Sequence, residues 1–160
     1  MTESEAQPVL RRATGADARS ITELVADAYR PYEPLIGRTP MPMLTHYGEA
    51  VREHEVWVLE VTGTLVGVIE LEPRPDHLWI ENVAVSPRWQ GRGFGRLLLR
   101  HAETEARGRG LEEVGLLTNE RYLDNIAMYT RYGYRETDRV PYQGTDLVSF
   151  RKRLSAPGPA

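Results

Sequence analysis

Apolar and polar positions alternate along this chain with two periods. Runs rich in β-branched and aromatic residues cover positions 8–12, 55–61, 64–72, 78–85, 112–118, 134–140 and 147–153, and predict strands. Ile21, Leu24, Val25 and Ala28 recur at helical spacing behind Thr14 and Asp17, a helix-start signal. Phe94, Leu97, Leu98, Ala102 and Ala106 mark a second amphipathic helix, stopped by Gly108 and Gly110. Further helices are predicted over about 43–52 and 123–132. Pro31, Pro34, Gly37, Pro40 and Pro42 break regular structure between the first two helices. Thr62-Gly63 is a tight hairpin signal, Pro73, Pro75 and Asp76 make the next turn, and a longer connection over 141–146 joins the last two strands. The predicted order is β-α-α-β-β-β-α-β-α-β-β, with three consecutive antiparallel strands before the long helix. With no repeat or linker, this reads as one α/β domain over 1–160, its tails loose at about 1–7 and 155–160.

The stretch from Leu78 to Ala106 carries the most chemical information. A strand runs to Val85, Ser86-Pro87 ends it, and Gly91, Gly93 and Gly95 lead into the helix. The first N–H groups of a helix have no internal partner, and the macrodipole makes that end positive. Glycines let an anion approach the backbone without a Cβ in the way. Arg88, Arg92 and Arg96 add positive charge, so the loop suits a phosphate or diphosphate. Alternating glycines alone also serve as nothing more than a tight turn. There is no Gly-Lys-Ser/Thr, which excludes a P-loop, and G-x-G-x-G is not the G-x-G-x-x-G of a Rossmann site.

Composition narrows the function. The chain has 160 residues, 41% hydrophobic and 27% charged, with a net charge of −3. A mildly acidic chain lacks the Lys and Arg excess that nucleic-acid phosphates require. Cysteine is absent, which removes disulfides, thiol nucleophiles and thiolate metal sites, and fits a reducing cytosol. His46, His54, His77 and His101 are scattered without ligand spacing, so no metal is expected, and His101 reads as part of a helix face. No apolar run reaches membrane-spanning length, and the acidic N-terminus has no signal-peptide core.

Gln90-Gly91-Arg92-Gly93-Phe94-Gly95, preceded by Asn82-Val83-Ala84-Val85-Ser86-Pro87, resembles motif A of the GCN5-related N-acetyltransferases (GNAT). Thr118-Asn119, Asn125-Ile126-Ala127-Met128-Tyr129 and Gly133-Tyr134 are similar to that family's motif B. The resemblance covers nearly the whole chain and implies the GNAT fold, a mixed and mostly antiparallel sheet. It also implies acetyl-CoA as cofactor, with a primary amine, small or on a peptide, as acceptor; a homodimer and a cytoplasmic location are expected with it. The loop from Gln90 to Arg96 is then expected to hold the diphosphate, and the backbone of Val83, Ala84 and Val85 the acetyl carbonyl and pantetheine amides. Asn119 and Asn125 are placed on the cofactor, although the family's commonest asparagine position is occupied here by Tyr122.

Acetyl transfer to an amine needs a base for the amine, donors for the oxyanion and an acid for the departing thiolate. Asn125 and Tyr129 are four apart and share a helix face, leaving Leu123, Ile126, Ala127 and Thr130 to bury. A tyrosine with a pKa near ~10 keeps its proton at neutral pH. By residue type alone a helical tyrosine such as Tyr129 is more often a packing residue; the resemblance makes it the general acid beside the thioester sulfur. Strand alternation puts Glu81 on one face with Val83 and Val85. The resemblance offers Glu81 as the base, with Glu70, Glu72 or a water chain as alternatives. Tyr29, Tyr32 and Tyr142 fall in the two variable regions that border the family's acceptor site, and are otherwise ordinary surface aromatics. A catalytically silent acyl-CoA binder needs only the glycine loop. A protein N-terminal acetyltransferase is disfavoured, because the branch that does this carries a glutamate where this chain has Leu117.

Overall fold

The structure, a computed structural model, describes residues 7–155; the tails expected to be loose lie almost wholly outside them. The strands are β1 (Val9–Arg12), β2 (Glu55–Val61), β3 (Thr64–Pro73), β4 (Leu78–Val85), β5 (Glu113–Asn119), β6 (Arg135–Tyr142) and β7 (Thr145–Arg153). The helices are α1 (Ala18–Tyr29), a single turn α2 (Glu33–Ile36), α3 (Tyr47–Glu53), α4 (Phe94–Gly108) and α5 (Leu123–Arg131). The strands form one seven-stranded sheet in the order β1-β2-β3-β4-β5-β7-β6. Among the described residues only β4 and β5 run parallel; every other pair is antiparallel.

Strand alternation sends side chains to opposite faces of this sheet, and each face builds a core. Ile69, Leu71, Leu78 and Ile80 pack against Leu98, Leu99, Ala102 and Ala106 of α4. Val56, Val58 and Val68 pack on the other side against Ile21, Leu24 and Val25 of α1 and Tyr47 and Ala50 of α3. No helix among the described residues is long and apolar enough to cross a membrane.

The proline-rich stretch differs from the expected break. Pro31, Pro34 and Pro42 each open a helical turn, where a missing N–H costs nothing, and Gly37 closes α2 at φ 71°. The helix expected over 43–52 is divided. Met41–Leu44 forms a 3-10 turn, Thr45 is extended, and α3 starts afresh with the His46 side chain accepting from the Glu49 N–H. The expected loop over 141–146 is a two-residue turn instead, with Gln143 at φ 47° and Gly144 at φ 85°. Pro141 is tolerated inside β6 because β6 is an edge strand.

Candidate active site

The parallel ladder between β4 and β5 is only three pairs long, Leu78/Val114, Trp79/Gly115 and Ile80/Leu116. Beyond it β4 stays paired to β3 as far as Val85, and β5 to β7 as far as Asn119. The two strands therefore part, and their facing edges line open space. The cause is a bulge. Glu70 pairs with Asn82 and Leu71 with Ile80, so Glu81 is the extra residue, without a partner on β3. This corrects the alternation drawn from sequence. Val83 and Val85 join Leu78 and Ile80 in the α4 core, whereas Glu81 is exposed.

Two cavities occupy the opening. The first, about 330 Å³, is lined by Glu81, Asn82, Tyr122 and Tyr129, with Arg38, Arg74 and Trp79 at its walls. Trp79 Nε1 donates to Glu81 Oε2 at 2.8 Å. Of the three carboxylates considered from sequence, Glu81 lines this cavity. Glu70 is 2% exposed, paired across the sheet with Asn82 and 2.6 Å from His54 Nδ1, and Glu72 faces Arg74 at 3.7 Å. Burial raises the Glu70 carboxyl against the pull of His54, and the hydrogen bond to Glu70 raises His54.

Tyr129 is buried, with its ring centroid 5.9 Å from Tyr134 and 6.1 Å from Phe150. Its hydroxyl has no hydrogen-bond partner among the described residues, and burial drives its pKa well above the ordinary phenol value. Of the four α5 residues expected to bury, Ile126 packs against the core and the other three do not. Leu123 is 71% exposed, Ala127 and Thr130 are exposed, and the inward ridge is Tyr122, Ile126 and Tyr129 at i, i+4 and i+7. Aromatic rings remove more apolar surface from water than the short side chains opposite them, so the tyrosine ridge wins the sheet-facing side. Burial also pushes Tyr122 up to about 12, against the charge of Arg38.

The second cavity, about 370 Å³, lies between the start of α4 and α5. Val83, Ala84, Val85, Gln90, Gly91, Gly93, Phe94, Gly95, Arg96 and Asn125, ten of the residues nominated from sequence for the cofactor, all line it. Gly93 is the N-cap of α4 at φ 85° and supplies no side-chain cap, leaving the first N–H groups of the helix to face the cleft. Gly91 and Gly93 have no atom within 4 Å of where a Cβ would stand, and a Cβ on Gly95 would lie 3.0 Å from Met128 Sδ. Gln90 Nε2 donates to the Val85 carbonyl at 3.1 Å, tying the loop to the strand.

Three expected residues lie elsewhere. Arg92 is stacked on Trp89, 4.6 Å from its ring centre, outside the cleft lining. Asn119 lines the first cavity and donates to Thr145 Oγ1 at 2.8 Å. Tyr142 lies beneath the Arg38 guanidinium at 5.0 Å rather than on the cavity wall. Tyr32 lines the second cavity, stacked on Tyr122 at 4.3 Å, and Tyr29 and Val83 border both cavities.

Sequence reasoning missed Asn82. It is buried, accepts from Tyr29 Oη at 2.9 Å and donates to Tyr47 Oη at 3.0 Å, fastening α1 and α3 to the bulge. Its signal was the polar pair Glu81-Asn82 inside an apolar strand, a pattern that simple alternation does not produce. Arg38 and Arg74 were missed as well, because neither stands in a motif.

The architecture is that of solved acetyltransferases. A GNAT family acetyltransferase from Elizabethkingia anophelis, crystallised with acetyl-CoA bound, superposes with a TM-score of 0.68 at 20% identity, over 92% of this chain and 98% of that one. A profile of the acetyltransferase (GNAT) family matches residues 20–134, and the chain belongs to that family. It is 30% identical to N-alpha-acetyltransferase RimI of Mycobacterium tuberculosis, over 96% of this chain and 98% of the relative. It is also 30% identical to the aminoalkylphosphonate N-acetyltransferase of Salmonella typhimurium, over 80% of this chain and 85% of the relative.

Proposed function

We propose that this chain transfers the acetyl group of acetyl-CoA to a primary amine by direct attack, with both molecules bound at once. The observation that carries the reading is the meeting of the two cavities at Tyr29 and Val83 in the gap between β4 and β5. One cavity then serves each reactant.

The residues of the second cavity fit the cofactor. Gly91 and Gly93 leave open space beside a backbone at positive φ, and the uncapped start of α4 offers N–H groups to a diphosphate. Arg96 adds charge to the same cleft, and Asn125 offers an amide from α5. The edge of β4 beyond Ile80 is unpaired on the β5 side and suits the amides of an extended arm laid along it like an added strand. When bound, acetyl-CoA supplies the acetyl group as a thioester.

The chain's own residues hold the protons. Tyr129 Oη keeps its proton through the neutral range, because burial disfavours the phenolate, and the absence of an internal partner leaves that proton free to be donated. The Glu81 carboxylate, steadied by Trp79, is the acceptor for the amine proton, directly or through water. The aromatic walls formed by Tyr29, Tyr32 and Tyr122 shield the junction from bulk solvent.

The whole-length likeness to RimI raises the peptide N-terminus as acceptor. Leu117, 38% exposed on the wall of the first cavity, gives no charge to hold a peptide amine there, which favours a small-molecule acceptor. The test is a thiol-release screen with acetyl-CoA against amino acids, aminophosphonates, polyamines, aminoglycosides and peptides. Release with at least one small amine is expected. Tight acetyl-CoA binding with no release from any acceptor would replace the transferase with a silent acyl-CoA binder.

A further inference from the structure

We propose that the first cavity selects amines that also carry an anionic group, and that the Arg38 guanidinium reads that group. This rests on the transferase reading for its reaction, but the recognition stands on the cavity itself. The charged side chains lining that cavity are Arg38, Arg74 and Glu81, two cations to one anion. Glu81 lines the cavity together with Tyr129 and is the natural partner of the ammonium before it loses its proton. With Arg74 held against Glu72 and Glu81 turned to the ammonium, Arg38 is the cation left to meet an anion on the acceptor.

The two arginines are not equivalent. Arg74 stacks on Trp79 at 4.2 Å and already faces Glu72 at 3.7 Å. Arg38 has no carboxylate within ion-pair reach among the described residues and donates no hydrogen bond. Its Nε is shielded from solvent without an acceptor. A guanidinium offers a fork of N–H donors matched to carboxylate or phosphonate oxygens, and leaving a buried donor unmade is costly. The Tyr142 face beneath it holds the plane in place without using those donors.

The segment that presents Arg38 is tied down. Arg121 Nη1 donates to the Leu35 carbonyl at 2.7 Å, Thr39 Oγ1 donates to Glu33 at 3.2 Å, and Gly37 turns the chain at φ 71° just before Arg38. A fixed guanidinium selects better than a mobile one, because less side-chain entropy is lost on binding. The same wall opposes polycations, since a second ammonium would meet Arg38 or Arg74 rather than a carboxylate.

Calorimetry on the full chain saturated with coenzyme A tests this without turnover. The ligands are β-alanine and 2-aminoethylphosphonate, which differ in the anion, with neutral β-alaninamide and the dication 1,4-diaminobutane as controls. The wild type is expected to bind at least one anionic amine ~10-fold or more tighter than either control. Arg38→Gln should bring that ratio to within ~3-fold, and Arg38→Lys should keep part of it, as a point charge does. The ratio between β-alanine and 2-aminoethylphosphonate then tells carboxylate from phosphonate. The proposal is overturned if neither anionic amine binds, if the dication binds best, or if folded Arg38→Gln retains the wild-type ratio. Thiol release is followed in parallel: loss of release with the binding preference intact counts against the transferase reading alone.

Discussion

The Trp79 indole and the Glu81 carboxylate, two residues apart on β4, are joined by a 2.8 Å hydrogen bond across the bulge that opens the sheet. That bond holds Glu81 over the first cavity rather than letting it swing into solvent. If Glu81 takes the amine proton, Glu81→Gln lowers kcat/KM by roughly 10²–10⁴ where the amine is mainly protonated, and recovers part of the loss at higher pH. Trp79→Phe keeps the packing and releases the carboxylate, so it costs less at every pH. A pH–rate profile of Glu81→Gln parallel to wild type moves the role to a water chain.

Tyr129→Phe separates enzyme from binder. The ring is buried against Tyr134 and Phe150, while the hydroxyl has no partner among the described residues. Removing only the oxygen should leave the melting temperature and acetyl-CoA affinity near wild type, with kcat down by roughly ten- to a thousandfold. An unchanged kcat with a lowered melting temperature makes Tyr129 a packing residue.

The glycine loop yields a graded series. Gly95→Val drives its side chain against Met128 Sδ, 3.0 Å from the Cβ position, and crowds the cleft between α4 and α5. Calorimetry should find acetyl-CoA affinity lowered by at least ~10-fold, about 1.4 kcal/mol. Arg92 stands on Trp89 outside the cleft, so Arg92→Gln should cost less, and that cost should shrink as salt is added. Wild-type affinity in folded Gly95→Val removes the loop from the cofactor site.

His54 and Glu70 give a pH signature in stability. The hydrogen bond to Glu70 raises His54 above its ordinary value of 6.5, so the folded state favours the protonated ring. That contribution is fully present below the ordinary histidine range and is lost as pH rises through the raised value. Burial lowers His101, whose contribution has the opposite sign and is lost as pH falls. The difference in melting temperature between wild type and His54→Gln, followed from ~pH 6 to ~pH 9, isolates the first effect and should narrow as pH rises. A constant difference across that range rejects the pair as a titrating contact.

Most of the architecture and one side of the second cavity were legible along the chain. The glycine loop, its helix and the strand before it lie within one continuous stretch, 78–106, so local periodicity and glycine spacing were enough to outline that side; the facing side, from Tyr29 and Tyr32 to Asn125 and Met128, is brought in by packing. The Thr62-Gly63 hairpin was legible for the same reason: Gly63 at φ 80° is a local demand that sequence states directly. The first cavity draws on positions far apart in sequence, from Tyr29 to Leu147, and Glu81 and Tyr129 were nominated for its acid–base chemistry through motifs and not through geometry.

Short-range physics therefore determined the succession of elements, the helix start behind the glycines and the apolar strand at 78–85. Long-range packing decided the rest. Whether Glu81 joins Val83 and Val85 or stands out from the strand depends on how β3 counts residues against β4, because one extra residue reverses every side chain beyond it. Which ridge of α5 is buried depends on the sheet that receives it, and there the ring of Tyr129 competed successfully against Leu123. The placing of Arg38 beside a cavity built from β4 and β5 is a property of no local sequence: it follows from Arg121 and Glu33 anchoring the turn that carries it.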